Sequence, residues 1–434
     1  MKYYNQIVEI HPSSVSGVIQ APPSKSVTQR LFALALLHPG KTLLNGFGES
    51  KDEMAALQII RQLGARVQMH SHTSVSIEGS PWLRKIPDLP EALTLECGES
   101  GLSMRMFTSI AALFNFPITL QASGSLQRRP MHFFESVLPQ LGIKIKTGNG
   151  FPPISLQGPL VADSVEIDGS LSSQFISGLF IALAKSTKQP LTVSVSNLKS
   201  RPYIELTLHL MREFGYKLSA LDKDRFQIFP SEIHSNPQHF DVEGDWSGAA
   251  FLMVAAALHG EVAIQKLNRN SFQADREILN VLRKAGTSLH FSADSISIQQ
   301  STHEAFLFDA TDCPDLFPPL VVLALGCKGI SEIRGVHRLI HKESNRAEAL
   351  QTELKKMGGE IEIVGDALRI QGPQKLRGAT VEAHNDHRIA MALAIAALGA
   401  EGSSRICGAE SVSKSYPAFF EDLKQLGVAL RIIQ

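Results

Sequence analysis

Cysteine is scarce in this chain. Cys97, Cys313, Cys327 and Cys407 are scattered over 434 residues with no Cys-x-x-Cys pair. That argues against a zinc centre or a disulfide framework and reads as reduced thiols. Net charge is lacking too, since 42 Lys and Arg balance 42 Asp and Glu. The basic excess that a nucleic-acid or membrane-surface partner requires is therefore missing. No apolar run reaches the ~18 residues of a membrane helix. The opening MKYYNQIVEI has neither the apolar stretch of a signal peptide nor the Arg and Ser bias of a transit peptide. A cytoplasmic protein is expected. LHPGKTLL resembles half a phosphate-binding loop, but Ala35 stands where its first glycine belongs. HEAFLF, at His303, lacks the second histidine of a zinc-protease helix.

What is present is material for a large interior. Hydrophobic residues make up 44% and charged residues 19%, a globular profile, and the length favours two domains. A repeat then organises the chain. IIRQLG, VLPQLG, LMREFG, VLRKAG, ELKKMG and DLKQLG end at Gly64, Gly142, Gly215, Gly286, Gly358 and Gly427. Each predicts a surface helix, a glycine cap, and then an alternating strand. The glycines are 78, 73, 71, 72 and 69 residues apart, so six copies of one unit are expected. A second helix recurs on this period and is apolar all round: LFALALL, MFTSIAALF, FISGLFIALA, AAFLMVAAAL, LFPPLVVLALG and IAMALAIAALG. A helix without a polar face is a buried one. Three units per lobe is the economical packing. The lobes are expected at residues 23–241 and at 1–22 plus 242–434, with the N-terminal strand joining the latter and a small-molecule site in a cleft between them.

The residues that lead into the buried helices carry the chemistry. In APPSKSVTQRLFALALL, Lys25 and Arg30 crowd a helix start, where the macrodipole disfavours cations. A bound anion would remove the conflict. The first three leaders, SKSVTQR, CGESGLSMR and DGSLSSQF, offer hydroxyls, glycines, Lys25, Arg30, Arg105 and Gln174, the makings of an anion cradle. The last three, EGDWSG, CPDLFPP and NDHR, each bring an aspartate: Asp245, Asp315 and Asp386. Any one of these serines or aspartates alone reads as an ordinary helix cap. Arg128 and Arg129, then Lys342, Glu343 and Arg346, then His387 and Arg388, and finally Lys414 add further charges. Singly they are surface charges. Together they suit two anionic ligands, with Asp315 and Glu343 as acid and base groups.

In order, SKSVTQR, CGESGLSMR, GSLSSQF, SRPYIELTLHLMREFG, VEGD, PDLFPPLVVLA, KESNR and NDHRIAMA resemble the 5-enolpyruvylshikimate-3-phosphate synthase family over nearly the whole chain. The resemblance implies an α/β fold, a two-lobed inside-out α/β barrel of six βαβαββ-type units, three per lobe. It implies transfer of the enolpyruvyl group of phosphoenolpyruvate to the 5-hydroxyl of shikimate 3-phosphate, with release of phosphate, through a tetrahedral intermediate. On the matching positions, Ser26, Arg30, Ser172, Ser173, Ser200, Tyr203 and Lys342 fall at contacts to shikimate 3-phosphate. Gln174 and Asp315 fall at contacts to both substrates. Lys25, Gly101, Arg129, Arg346, Arg388 and Lys414 fall at contacts to phosphoenolpyruvate, Lys25 also reaching the other substrate. Asp315 matches the base for the 5-hydroxyl, and Glu343 the group that handles the proton at the vinyl carbon, with Lys25 and His387 also implicated. No metal or organic cofactor is implied, and a monomer is expected.

The chain departs from the family pattern at Glu99, where Asn is common, and at Leu102, where Thr is common. It departs again at Arg338 in place of Asn and at Trp246 in place of a small residue. A UDP-N-acetylglucosamine enolpyruvyl transferase shares the fold, but its loop cysteine has no counterpart in SGSLQRRPMH. A catalytically silent binder of phosphorylated metabolites is the other alternative, and intact Lys25, Asp315, Glu343 and His387 argue against it.

Overall fold

The computed structural model describes residues 6–84 and 90–433. The chain forms two compact units. Unit I is Pro23–Val242, and unit II is Met1–Pro22 with Glu243–Gln434. The fold is α/β, and among the described residues there are six four-stranded sheets, three in each unit.

One pattern is repeated throughout. A strand leads to a buried helix, which returns in a parallel strand. A surface helix follows, and an antiparallel hairpin completes the sheet. In the second repeat, Leu93–Glu96 runs parallel to Pro117–Gln121, which pairs antiparallel with Ile154–Gln157, itself paired with Lys144–Thr147. Parallel neighbours need a crossover, and the apolar helix supplies it. The buried helices of unit I are α1 (Lys25–Leu37), α3 (Gly101–Ala111) and α5 (Ser173–Ser186). Its surface helices are α2 (Lys51–Gln62), α4 (Phe133–Val137) and α6 (Arg201–Glu213). In unit II, α7 (Trp246–His259), α9 (Phe317–Gly326) and α11 (His387–Leu398) are buried. There α8 (Ile278–Lys284), α10 (Arg346–Lys356) and α12 (Phe419–Gln425) lie outside.

The six cap glycines all adopt the left-handed backbone, with φ from +79° at Gly142 to +95° at Gly427. A side chain would be strained there, which is why glycine recurs. The second surface helix is the exception to a regular pattern. It is only five residues of α-helix followed by a 3-10 turn, Leu138–Leu141, because Pro139 supplies no N–H donor.

The leading strands are exchanged in sequence. Val15–Gln20 precedes α1 yet lies parallel to Gly260–Gln265 in unit II. Gln238–Asp241 precedes α7 yet lies parallel to Lys41–Asn45 in unit I. Ile7–Ile10 also sits in unit II, between Ser404–Cys407 and Leu430–Ile433. Inside unit I, α3 and α5 cross closely. A Cβ at Gly178 would stand 2.3 Å from the Met106 carbonyl oxygen, so only glycine fits that crossing. Phe107, Phe175 and Phe180 of the same two helices are fully buried, each contributing ~1.5–3 kcal/mol relative to exposure. No helix among the described residues is long and apolar enough to cross a membrane.

Candidate active site

Two groups of polar side chains gather at the starts of the buried helices, one in each unit. In unit I, Ser24 precedes α1 but makes no side-chain cap to it. Lys25 extends to Asp52 in the first turn of α2, Nζ to Oδ2 2.9 Å. Arg30 is buried and ties three helices together. Its Nε donates to Thr207 Oγ1 at 2.8 Å, its Nη1 to the Ser26 carbonyl at 2.7 Å, and its Nη2 to Ser177 Oγ at 3.4 Å. The guanidinium carbon lies 5.9 Å from the Tyr203 ring centre. Burial pulls the Arg30 pKa down to about 10, so the group is still cationic at neutral pH.

Ser172 caps α5 by accepting from the Gln174 N–H, and Ser173 is buried beside it. The Gln174 side-chain oxygen, Oε1, accepts from Arg105 Nη1 at 2.8 Å. Ser200, with φ of +53°, turns the chain into α6, whose first turn carries Tyr203. Gly101 opens α3 against two cations. A Cβ there would stand 2.6 Å from Arg129 Nη1 and 3.2 Å from Arg105 Nη1. Gly101→Ala is therefore expected to push the Arg129 guanidinium aside. The KM of an anionic substrate held by Arg129 should rise about ten- to a hundredfold, the worth of one charge-assisted hydrogen bond, with a smaller change in kcat. Steady-state kinetics check this, and an unchanged KM would remove Arg129 from the binding set.

The departures from the family pattern acquire physical reasons. Glu99 accepts from Ser125 N–H at 2.8 Å and from Ser125 Oγ at 2.9 Å. It thereby anchors the 3-10 turn Gly124–Arg128 that delivers Arg129. Leu102 faces the apolar core of unit I. Trp246 is fully buried, and its indole N–H donates to the Asn268 carbonyl at 3.1 Å. Arg338 lies in the field of Asp312 and Asp315, and burial lowers its pKa.

In unit II the three leading aspartates separate. Asp245 caps α7 by accepting from Gly248 N–H, and Asp386 caps α11 by accepting from Arg388 N–H. Asp315 instead sits in the 3-10 turn Pro314–Leu316, before α9. Its Oδ1 accepts from Arg346 Nη1 at 2.7 Å and faces Lys342 Nζ at 3.4 Å. Its Oδ2 accepts from Arg388 Nη2 at 3.0 Å. Burial opposes the charge of Asp315, but Arg388, Lys342 and Arg346 outweigh it and hold the carboxyl well below its usual range.

Arg346 is the hub of this group. Its side chain is 1% exposed and meets three carboxylates. Nε donates to Asp386 Oδ2 at 2.8 Å, Nη2 to Glu343 Oε2 at 2.7 Å, and Nη1 to Asp315. His387 is buried, with Nδ1 3.9 Å from Asp386 Oδ1. Lys414 Nζ donates to the Asn385 carbonyl at 2.7 Å. Asp275 was not singled out by the sequence. It is fully buried and accepts from Ser247 Oγ. Burial, reinforced by the charge of Asp315, pushes its pKa up to about 6, against the pull of Arg388. In the sequence it reads as an ordinary first-turn acid. Asp386 likewise looked like a cap only, and its salt bridge to Arg346 has no local signature.

Burial lowers the Lys342 pKa to about 8, more than the Asp315 charge restores. Below that pH the ammonium is intact, and above it the charge is lost. For an anionic ligand held by Lys342, kcat/KM should decline as pH rises through about 8, and Lys342→Met should abolish that inflection. A profile for the wild type that stays flat to pH 10 would exclude Lys342 from binding.

Among the described residues, no group of three or more His, Cys, Asp or Glu side chains is placed to hold a metal ion. All four cysteines are buried and free of disulfides. A hollow of about 610 Å³ lies elsewhere in unit II, near Leu258, His259, Gly326 and Gly399 at the C-terminal ends of α7, α9 and α11. None of the charged residues described above lines it.

Comparisons with known proteins agree on one family. The sequence profile described as EPSP synthase (3-phosphoshikimate 1-carboxyvinyltransferase) matches residues 10–423. The chain is 35% identical over 423 residues to a 3-phosphoshikimate 1-carboxyvinyltransferase from Clostridium acetobutylicum, covering 97% of each protein. It is 37% identical over 413 residues to the Thermococcus kodakarensis protein of that name, covering 95% of this chain and 98% of the relative. The solved structure of an Acinetobacter baumannii EPSP synthase matches with a TM-score of 0.83 at 26% identity, over 99% of this chain and 100% of that one. The chain belongs to the EPSP synthase (3-phosphoshikimate 1-carboxyvinyltransferase) family.

Proposed function

We propose that this chain transfers the enolpyruvyl group of phosphoenolpyruvate to the 5-hydroxyl of shikimate 3-phosphate and releases phosphate, in the shikimate pathway. We read each unit as one lobe of an inside-out α/β barrel with three repeats, and the enzyme as a cytoplasmic monomer. Ser26, Arg30, Ser172, Ser173, Ser200, Tyr203 and Lys342 are assigned to shikimate 3-phosphate. Lys25, Gln174 and Asp315 are assigned to both substrates, Asp315 as the base. Gly101, Arg129, Arg346, Arg388 and Lys414 are assigned to phosphoenolpyruvate. The reading calls on no metal or organic cofactor, because its steps are proton transfers and charge stabilisation.

The observation that carries the reading is the Asp315 carboxylate, in contact with Arg346, Arg388 and Lys342, with Glu343 on the same Arg346 guanidinium. In that setting Asp315 is a poor base. Substrate phosphates and carboxylates compete for its cations. As Lys342 and Arg388 turn to substrate, the proton affinity of Asp315 rises, so the base is activated when both substrates are present. Asp315 takes the proton of the 5-hydroxyl as that oxygen bonds to C2 of phosphoenolpyruvate. Glu343 delivers a proton to C3, which becomes a methyl group, with Lys25 and His387 supporting the transfer. In the second step C3 returns its proton to Glu343, the C2=C3 bond re-forms, and the C2–O bond to phosphate breaks as the departing oxygen takes up the proton held by Asp315, which restores the base. The arginines and lysines stabilise the charge on the departing phosphate.

Turnover in D2O tests this path. The enolpyruvyl methylene of the product should carry deuterium, because C3 passes through a methyl group. A product free of deuterium, or phosphate released without transfer, would contradict it.

A further inference from the structure

The segment from Asn268 to Glu277 presents different residues to different surroundings. On one side Gln273 Oε1 accepts from Trp246 N–H at 3.0 Å, and Asp275 accepts from Ser247. Elsewhere Arg269 and Arg276 of the same segment, with Arg283 of α8 and Phe291, border a hollow of about 460 Å³. Arg276 Nη1 donates to the Arg269 carbonyl at 2.6 Å. The guanidinium carbons of Arg269 and Arg283 lie 5.6 and 5.2 Å from the Phe291 ring centre. Among the described residues, Glu277 is the one acidic residue in the lining, and it accepts from Asn280 Nδ2 at 2.7 Å.

None of the three arginines has a carboxylate partner among the described residues. Other arginines on the same unit's sheets are neutralised. Arg334, Arg369, Arg405 and Arg431 each lie within 3.0 Å of Glu332 or Glu9. Three like charges around one small hollow repel each other, and in a chain of zero net charge nothing general demands them there. An oxyanion relieves the repulsion and can be gripped by paired N–H donors. Phe291 and the guanidinium planes offer flat surfaces on which a ring can stack. The volume suits a ligand larger than a bare ion.

We propose that this hollow binds a phosphomonoester carried on a flat ring. It is separate from the residues assigned to the reaction, since it shares none of them. The carrier is either a simple aromatic ring or a nucleoside, and both chemistries present the same dianion and flat face.

Calorimetric titration with phenyl phosphate, adenosine monophosphate and inorganic phosphate distinguishes these. A ring-bearing probe should bind saturably and more tightly than inorganic phosphate, and the tighter of the two identifies the carrier. The double variant Arg269→Gln/Arg283→Gln should weaken that binding about tenfold or more, while retaining basal turnover as a sign of intact folding. Arg388→Gln should leave it in place, and Phe291→Ala should reduce the advantage of the ring-bearing probe. Failure of every probe to bind would overturn the proposal. So would binding that survives in the double variant, or that is lost only in Arg388→Gln.

Discussion

Asp315→Asn is expected to lower kcat by about 10²- to 10⁴-fold, the usual worth of a positioned base, while both substrates still bind. The amide keeps the shape of the carboxylate and its oxygen can still accept from Arg346. It cannot take the 5-hydroxyl proton. It also releases Arg346, Arg388 and Lys342 from a competing anion, so KM for either phosphorylated substrate should stay level or fall. That split between kcat and KM separates a base from a binding residue. A loss smaller than tenfold in kcat would assign the proton to another group. A chain that only binds phosphorylated metabolites would show no turnover in the parent protein.

Arg346→Met should produce the largest loss of stability, about 3–5 kcal/mol in urea unfolding, because it breaks a buried ion network on one side only. Asp386 is 0% exposed and would keep a negative charge with its main partner gone. Asp315 and Glu343 would lose a partner at 2.7 Å each. Arg346→Lys should not rescue the fold, since one ammonium cannot reproduce a planar fork that meets three carboxylates. The double variant Arg346→Met/Asp386→Asn should recover part of the loss, because the buried charge leaves with its partner. A loss below about 1 kcal/mol in the single variant would show that the network contributes little to folding.

Much of the architecture was legible because it is periodic. Glycines at Gly64, Gly142, Gly215, Gly286, Gly358 and Gly427 mark a backbone conformation that other residues resist, and all six adopt it. The apolar helices announce their own burial, having no face to show to water. The exchange of Val15–Gln20 and Gln238–Asp241 was only half legible. A short strand carries no local mark of its partner, since register is settled by long-range packing.

The site was legible as types and less so as roles. Asp245, Asp315 and Asp386 look alike in sequence, each just before an apolar helix. Two of them cap, while Asp315 sits in a 3-10 turn ahead of Pro318 and Pro319 and is left for the arginines. Asp275 and Glu99 were not assigned roles, because their partners Ser247 and Ser125 lie 28 and 26 residues away. No window of sequence contains such a pair. The conflict of Lys25 with the start of α1 was a real signal. In this structure the Lys25 ammonium meets Asp52 of the next helix.

Phosphate release from phosphoenolpyruvate is the most direct test, measured with shikimate 3-phosphate as acceptor and separately with UDP-N-acetylglucosamine. Release should require shikimate 3-phosphate and should collapse in Asp315→Asn. Release that appears only with the sugar nucleotide, or that continues undiminished without the Asp315 carboxylate, would contradict the assignment of this cluster to enolpyruvyl transfer.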